Sequence, residues 1–185
     1  MIAATQIPGY VVGTWDFDPV HSDVSFSVRH MMVSKVKGRF TQFAGTITTA
    51  EDITRSAVTA TLDASSIDTK NEQRDGHIKS ADFFEVEKYP EWTFASTGIE
   101  ADGDDYKLTG DLTIKGVTKP VSLRLELGGF GPDVYGGTRA GFTATAGINR
   151  KDFGVDISFP MDGGGVMVGD KVEVTLEIEA VLRTA

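Results

Sequence analysis

The chain has 185 residues, 40% hydrophobic and 24% charged, which suits one globular domain with a sizeable core. Its formal charge of −9 argues against nucleic acid and against an electrostatic anchor on anionic lipid, because both need a basic surface. The absence of cysteine excludes disulfides and thiolate chemistry.

The opening stretch, MIAATQIPGYVVGTW, has no basic n-region and no apolar h-region of signal length. Residues 1–13 read as an extension ahead of a domain core spanning about 15–183. No window approaches the roughly 18 consecutive apolar residues of a membrane helix. A cytoplasmic protein without a membrane span is expected.

Period-two alternation then dominates. DVSFSVRH places Val24, Phe26, Val28 and His30 on one face. VKGRFTQFAGTIT keeps Val36, Gly38 and Phe40 in phase, slips by one at Thr41–Gln42, and continues with Phe43, Gly45 and Ile47, as a β-bulge does. VTATL sets Val58, Ala60 and Leu62 against Thr59 and Thr61. Beyond residue 90, Phe94 lies in the next strand, EWTFAS. YKLTGDLTI sets Tyr106, Leu108, Leu112 and Ile114 against Lys107, Thr109, Asp111 and Thr113. VSLRLEL, AGFTATAGI and KVEVTLEIEAVLR repeat the pattern, the second with Phe142, Ala144 and Ala146 inward. Turn signals fall at 100–105, 115–120 and 129–137.

Eight or nine strands with one apolar and one charged face make an antiparallel sheet with one dry side. A closed barrel and a two-sheet sandwich both satisfy this, and the strand lengths favour an extended eight-stranded antiparallel barrel. The charged face is the outer one, the reverse of a membrane barrel. Gly38, Gly45, Ala60, Gly110, Ala140, Ala144 and Ala146 all fall on the inward parity. Either they leave a ligand cavity, or the large neighbours Phe26, Phe40, Phe43, Phe94 and Phe142 fill the space.

One segment does not alternate. SSIDTKNEQRDGHIKSADFFEVEKYP, about 66–90, reads as a short helical insert. Thr69 with Glu72 forms a capping-box pattern, Ser80 caps a second turn, and Pro90 ends the insert. Such an insert lies naturally over one end of a barrel. Ile78, Phe83 and Phe84 then plug or gate the mouth, with Arg74, Asp75 and His77 at its rim. The alternative is a structural cap in which Arg74 and Asp75 tie loop backbone and His77 is solvated.

Catalytic and metal signals are weak. His21, His30 and His77 are widely spaced, with no cysteine to support a zinc site, so no metal is expected. No nucleophile elbow appears. DGGGVMVGD, 162–170, precedes a strand rather than joining a strand to a helix, so it reads as a loop and not a phosphate cradle. His30 lies by parity on an apolar face. It reads either as a neutral core histidine or as a polar contact in a dry pocket. NRKDFGVD, with Arg150, Asp152, Phe153 and Gly154, reads as a structural corner.

HSDVSFSVRHMMVSKVKGRFTQFAG (21–45), RDGHIKSADFFEVEKYP (74–90), TGDLTIKGVTKPV (109–121) and NRKDFGV (149–155) closely resemble successive signatures of the YceI-like family. The resemblance runs from Trp15 to about Val181. It implies a lipocalin-like barrel holding a long apolar ligand, a polyisoprenoid, an isoprenoid quinone or another long-chain amphiphile, with dimers common and no established catalysis. Many relatives carry a secretion signal, and this sequence starts without one. The expected function is therefore a lipid carrier or reservoir with no cofactor beyond a bound isoprenoid lipid or quinone. The expected tail contacts are Phe26, Val28, Phe40, Phe43, Phe83, Phe84, Phe94, Leu112, Ile114, Phe142, Ala144 and Phe153. The expected head-group contacts are His30, Arg74, Asp75 and His77. The alternatives are an enzyme acting on a hydrophobic substrate, with His30, His77 or Asp75 as acid–base groups, and a stress-related interaction module.

Overall fold

In the computed structural model, residues 7–31, 33–156 and 168–184 are described. The first two strands, β1 (Gly13–Phe17) and β2 (Asp23–His30), follow each other along one stave, broken at 18–22. The next two, β3 (Ser34–Phe40) and β4 (Phe43–Thr49), form a second stave broken at Thr41–Gln42, where the alternation slips. β5 (Ala57–Asp63) and the short β6 (Ile67–Asp68) follow. Then come β7 (Glu91–Asp102), β8 (Asp105–Ile114), β9 (Val117–Pro132), β10 (Thr138–Asn149) and β11 (Val168–Leu182).

Each strand pairs antiparallel in the circuit β1–β4–β5–β7–β8–β9–β10–β11, and β1 pairs again with β11. The barrel is thus closed and eight-stranded. β2, β3 and β6 extend the wall beyond the ring, β2 pairing with the first half of β11. The break at Thr41–Gln42 lets one stave change partners, from β2 and β6 to β1 and β5.

Two of the expected turns are shorter than their composition suggests. The β8–β9 turn is only Lys115–Gly116, both at positive φ, and the strand resumes at Val117. Pro120 therefore lies in a strand. It is tolerated on the part of β9 that precedes the β10 ladder, which begins at Arg124. β9 likewise runs on through Gly129–Gly131, and the turn is confined to 133–137. Gly128 is the extra residue of a bulge opposite Gly141 and Phe142, next to Gly129 at φ 138°.

The insert holds one helix, α1 (Glu72–Lys79). Its N-cap is Asn71, whose side chain accepts from Arg74 N–H, and not Thr69. Thr69 is committed elsewhere. The Arg74 guanidinium donates to its hydroxyl and its carbonyl, both at 2.8 Å, while the Asp75 carboxylate accepts from its N–H and hydroxyl. The structural-cap reading of Arg74 and Asp75 is the one realised. Arg150 is likewise a corner: it is buried and donates to the carbonyls of Val155 (2.7 Å) and Gly169 (2.9 Å). The glycine run at 162–167 lies outside the described residues.

Arg139 ties three segments together. Its Nη1 donates to Asp18 (2.7 Å) and Glu179 (2.8 Å), and its Nε to Asp133 (3.0 Å) in the β9–β10 turn. The Arg139 guanidinium, followed by His21, holds the Asp18 carboxyl well below the usual range. The Gly137 N–H is the main cause of the lowering at Asp133. A carboxyl depressed in the folded state stabilises the fold above its unfolded pKa, and that contribution is lost as pH falls from about 4 toward the folded value. Arg139→Met is expected to lower the melting temperature at pH 7. The gap between variant and wild type should narrow below about pH 4, as thermal melts across pH will show.

Candidate functional site

The barrel interior contains two packed clusters. The larger includes Trp15, Val24, Phe40, Ile67, Trp92, Ile114, Ile148 and Phe153. The smaller includes Ile53, Ile99, Tyr106, Leu108, Leu123 and Ala144. Between them lies an apolar cavity of about 150 Å³. Aliphatic and aromatic side chains from β4, β5 and β7–β11 line it, and among the described residues none in the lining carries a charge. A cavity of this size and lining stays dry and accepts a guest about as large as benzene.

The two ends of the barrel differ. Toward the end that bears α1, Phe26 packs on Phe40 (5.9 Å between centroids), Phe40 on Trp92 (4.9 Å) and Trp92 on Phe84 (4.9 Å). This aromatic chain forms a plug. The opposite end is bordered by the segment before β1. There Gly9 has φ 76°, and a Cβ on it would sit 2.5 Å from the Phe130 carbonyl oxygen. That close approach seats the Tyr10 ring 5.1 Å from Phe130. The Tyr10 hydroxyl donates to the Ala50 carbonyl at 2.7 Å, and the Ser56 hydroxyl lies 3.5 Å away. Tyr10, Ser56 and Thr49 are part of the cavity lining. Burial, and next the nearby Tyr10 phenol, raise the Tyr106 hydroxyl above its ordinary pKa.

The small inward residues divide into two groups. Phenyl rings cover the glycines: a Cβ at Gly38 would collide with Phe26, at Gly45 with Phe17 and at Gly110 with Phe94. Ala60, Ala144 and Ala146 instead face the cavity, and Ala140 is packed in the core. Both readings of the small-residue pattern hold, each for different residues.

Of the residues expected at the site, Phe94, Leu112, Phe142 and Ala144 line the cavity. Phe26, Phe40, Phe84, Ile114 and Phe153 belong to the larger cluster or its packing shell, as do Val28 and Phe43. Phe83 is buried against His77 in the insert, at 5.0 Å between ring centroids. His77 also meets Asp82 at 3.1 Å on the surface. His30 pairs with Ser34 at the last rung of the β2–β3 hairpin. None of His30, Arg74, Asp75 and His77 is among the lining residues. Periodicity did not reveal Tyr10, Ser56 and Thr49, because they lie in the presumed extension and at a strand junction. The Pro8–Gly9 pair, a turn signal, is the one sequence mark of this end. Among the described residues, Asp18, His21 and Glu179 are close enough to share a cation, but Arg139 already binds both carboxylates.

Residues 15–180 match the YceI-like domain. A YceI protein of Escherichia coli is 45% identical over 141 residues, 76% of this chain and 74% of that protein. The chain belongs to the YceI-like family. A UPF0312 protein of Pseudomonas aeruginosa is 39% identical over 167 residues, covering 90% of this chain and 84% of that one. Among solved structures, a YceI protein of Campylobacter jejuni superposes with TM-score 0.71 at 31% identity, over 84% of this chain and 90% of that one. BcnA of Burkholderia cenocepacia superposes with TM-score 0.76 at 24% identity, over 88% and 98% of the two chains. A polyisoprenoid binding domain from Saccharophagus degradans gives 0.70 at 16%, over 94% and 100%. The last two share the fold. This YceI-like chain forms a closed barrel with one short α-helix among the described residues, and no helix among them is long and apolar enough to cross a membrane.

The two kinds of small residue should respond oppositely to enlargement. Ala144→Phe is expected to grow into free space and leave the melting temperature within a few degrees of wild type. Gly110→Val is expected to drive Phe94 out of place and cost about 1–3 kcal/mol in chemical denaturation.

Proposed function

We propose that this YceI-like protein binds a long-chain apolar ligand, a polyisoprenoid or an isoprenoid quinone, inside the barrel and serves as its carrier or reservoir. The observation that carries this reading is the uncharged apolar cavity left between two otherwise close-packed clusters. The Saccharophagus degradans neighbour, a polyisoprenoid binding domain of the same fold, points the same way. Among the described residues no histidine, carboxylate, lysine or arginine belongs to the lining, which favours binding over acid–base chemistry on a guest.

A chain of twenty carbons is larger than the cavity, so the walls must yield. The phenyl rings that border the cavity are those of Phe17, Phe94, Phe130 and Phe142. Each methylene buried contributes roughly 0.8 kcal/mol, offset in part by the order imposed on the chain and on these rings.

Organic extraction of protein purified without detergent, followed by mass spectrometry, tests the reading. The expected result is an isoprenoid lipid or quinone in near-stoichiometric amount from wild type, and less of it from Ala144→Phe. Full occupancy in a folded Ala144→Phe variant would count against this cavity as the site. A consistently empty extract, with no uptake of added isoprenoid, would overturn the function.

A further inference from the structure

The β2–β3 hairpin stands beyond the closed ring, and its two faces differ. The inner face carries Val24, Phe26, Val28 and Phe40 into the larger cluster. The outer face is cationic. Residues 29–39 hold four cations and no carboxylate, in a chain whose formal charge is −9. Arg29 on β2 and Lys35, Lys37 and Arg39 on β3 are all exposed and share one side of the ladder. Lys171, at the start of β11, extends this face. The carboxylates among them are Glu173, 3.8 Å from Lys35 and 3.9 Å from Lys171, Asp23, 3.5 Å from Arg39, and Asp68 opposite Arg39. Arg29 stands directly opposite Lys35. Like charges in that position destabilise a sheet, so the face gains from an anion laid across it. Lysine on an edge strand also deters pairing with other chains, but that need concerns β3 alone. Arg29 and Lys171 lie on strands paired on both sides. The tip of the hairpin is apolar: Met31 and Val33 are 38% and 85% exposed.

We propose that this hairpin docks the protein on an anionic bilayer. Met31 and Val33 enter the interface, and Arg29, Lys35, Lys37 and Lys171 lie against lipid phosphates. The chain's net charge argues against such an anchor only while the charges are taken as evenly spread. Salt screens charges more than about 8 Å away, whereas these cations meet the surface directly. An acidic soluble partner would use the cations alone, and a bilayer uses the cations and the apolar tip together. Phe26 and Phe40, on the inner face of the same hairpin, begin the aromatic plug that reaches Trp92 in the cavity wall. Docking therefore sets the plugged end of the barrel toward the membrane. The inference goes beyond the identity of the cargo and does not depend on it.

The test is flotation of the full chain with vesicles of phosphatidylcholine alone, or of phosphatidylcholine with about 30% phosphatidylglycerol. Wild type is expected to bind the anionic vesicles at least about ten-fold more tightly, and to lose them at about 1 M salt, where the screening length falls to about 3 Å. Lys35→Gln with Lys37→Gln should weaken that binding about 25-fold, roughly five-fold for each cation. Val33→Ser should weaken it about five-fold. Lys107→Gln with Arg124→Gln, a cation pair on β8 and β9 beside Asp105 and Glu126, should leave it unchanged. All these side chains are exposed, so the melting temperatures should stay close to wild type. Equal binding of wild type to both kinds of vesicle would overturn the docking. A loss in the β8–β9 variant as large as in the hairpin variant would overturn its placement on β2–β3. Full binding by Val33→Ser, with loss only in the lysine variant, would overturn the bilayer in favour of an acidic soluble partner. None of these outcomes bears on what the cavity holds, which the extraction experiment decides separately.

Discussion

The closure of the sheet depends on β1, a five-residue strand wedged between β4 and β11. It is held by the fully buried Trp15, whose indole N–H donates to the Thr49 hydroxyl at 2.9 Å and whose ring meets Phe130 at 5.7 Å. An indole buried without that acceptor would carry an unsatisfied donor, a cost of about 1–3 kcal/mol. The same hydroxyl receives Gly13 N–H and reaches the Val11 carbonyl. One threonine thus joins the closing strand, its neighbour and the segment ahead of β1. Outside the barrel, Arg183 clamps Asp16 with two bonds of 2.7 Å, which fixes the end of β11 against β1.

With closure secured there, the interior need not be filled everywhere. The strand ladders are complete around the ring, and the aromatic chain through Phe40, Trp92 and Phe84 packs the α1 end solidly. The barrel can then leave space in its middle, where Ala60, Ala144 and Ala146 line the cavity together with phenyl rings. The same geometry separates the roles of the two ends. The insert supplies packing and backbone hydrogen bonds at one end, and the segment before β1 packs Tyr10 against Phe130 at the other.

The strand pattern was legible residue by residue, because an alternation with one charged face leaves a single direction for the apolar side chains. The Thr41–Gln42 slip was visible for the same reason: parity changes there, and the chain changes partners. Composition misplaced the turns where strands carry turn residues, as with Pro120 and Gly129–Gly131. Arg74, Asp75 and His77 resembled a polar rim because charged residues clustered beside phenylalanines. In the structure Arg74 and Asp75 bond to Thr69, and His77 meets Asp82, all close in sequence.

By itself the sequence determined the family, the all-β barrel, the inward and outward faces and the position of the helical insert. Each of these follows from local periodicity or from motifs read along the chain. Only the tertiary structure decided which small inward residues are covered by rings and which open onto space. That depends on side chains from strands far apart in sequence, such as Phe17 over Gly45 and Phe94 over Gly110. It also decided what borders the barrel at the end opposite α1. Tyr10 and Ser56 are separated by 46 positions and meet only because β1 closes the ring between β4 and β11.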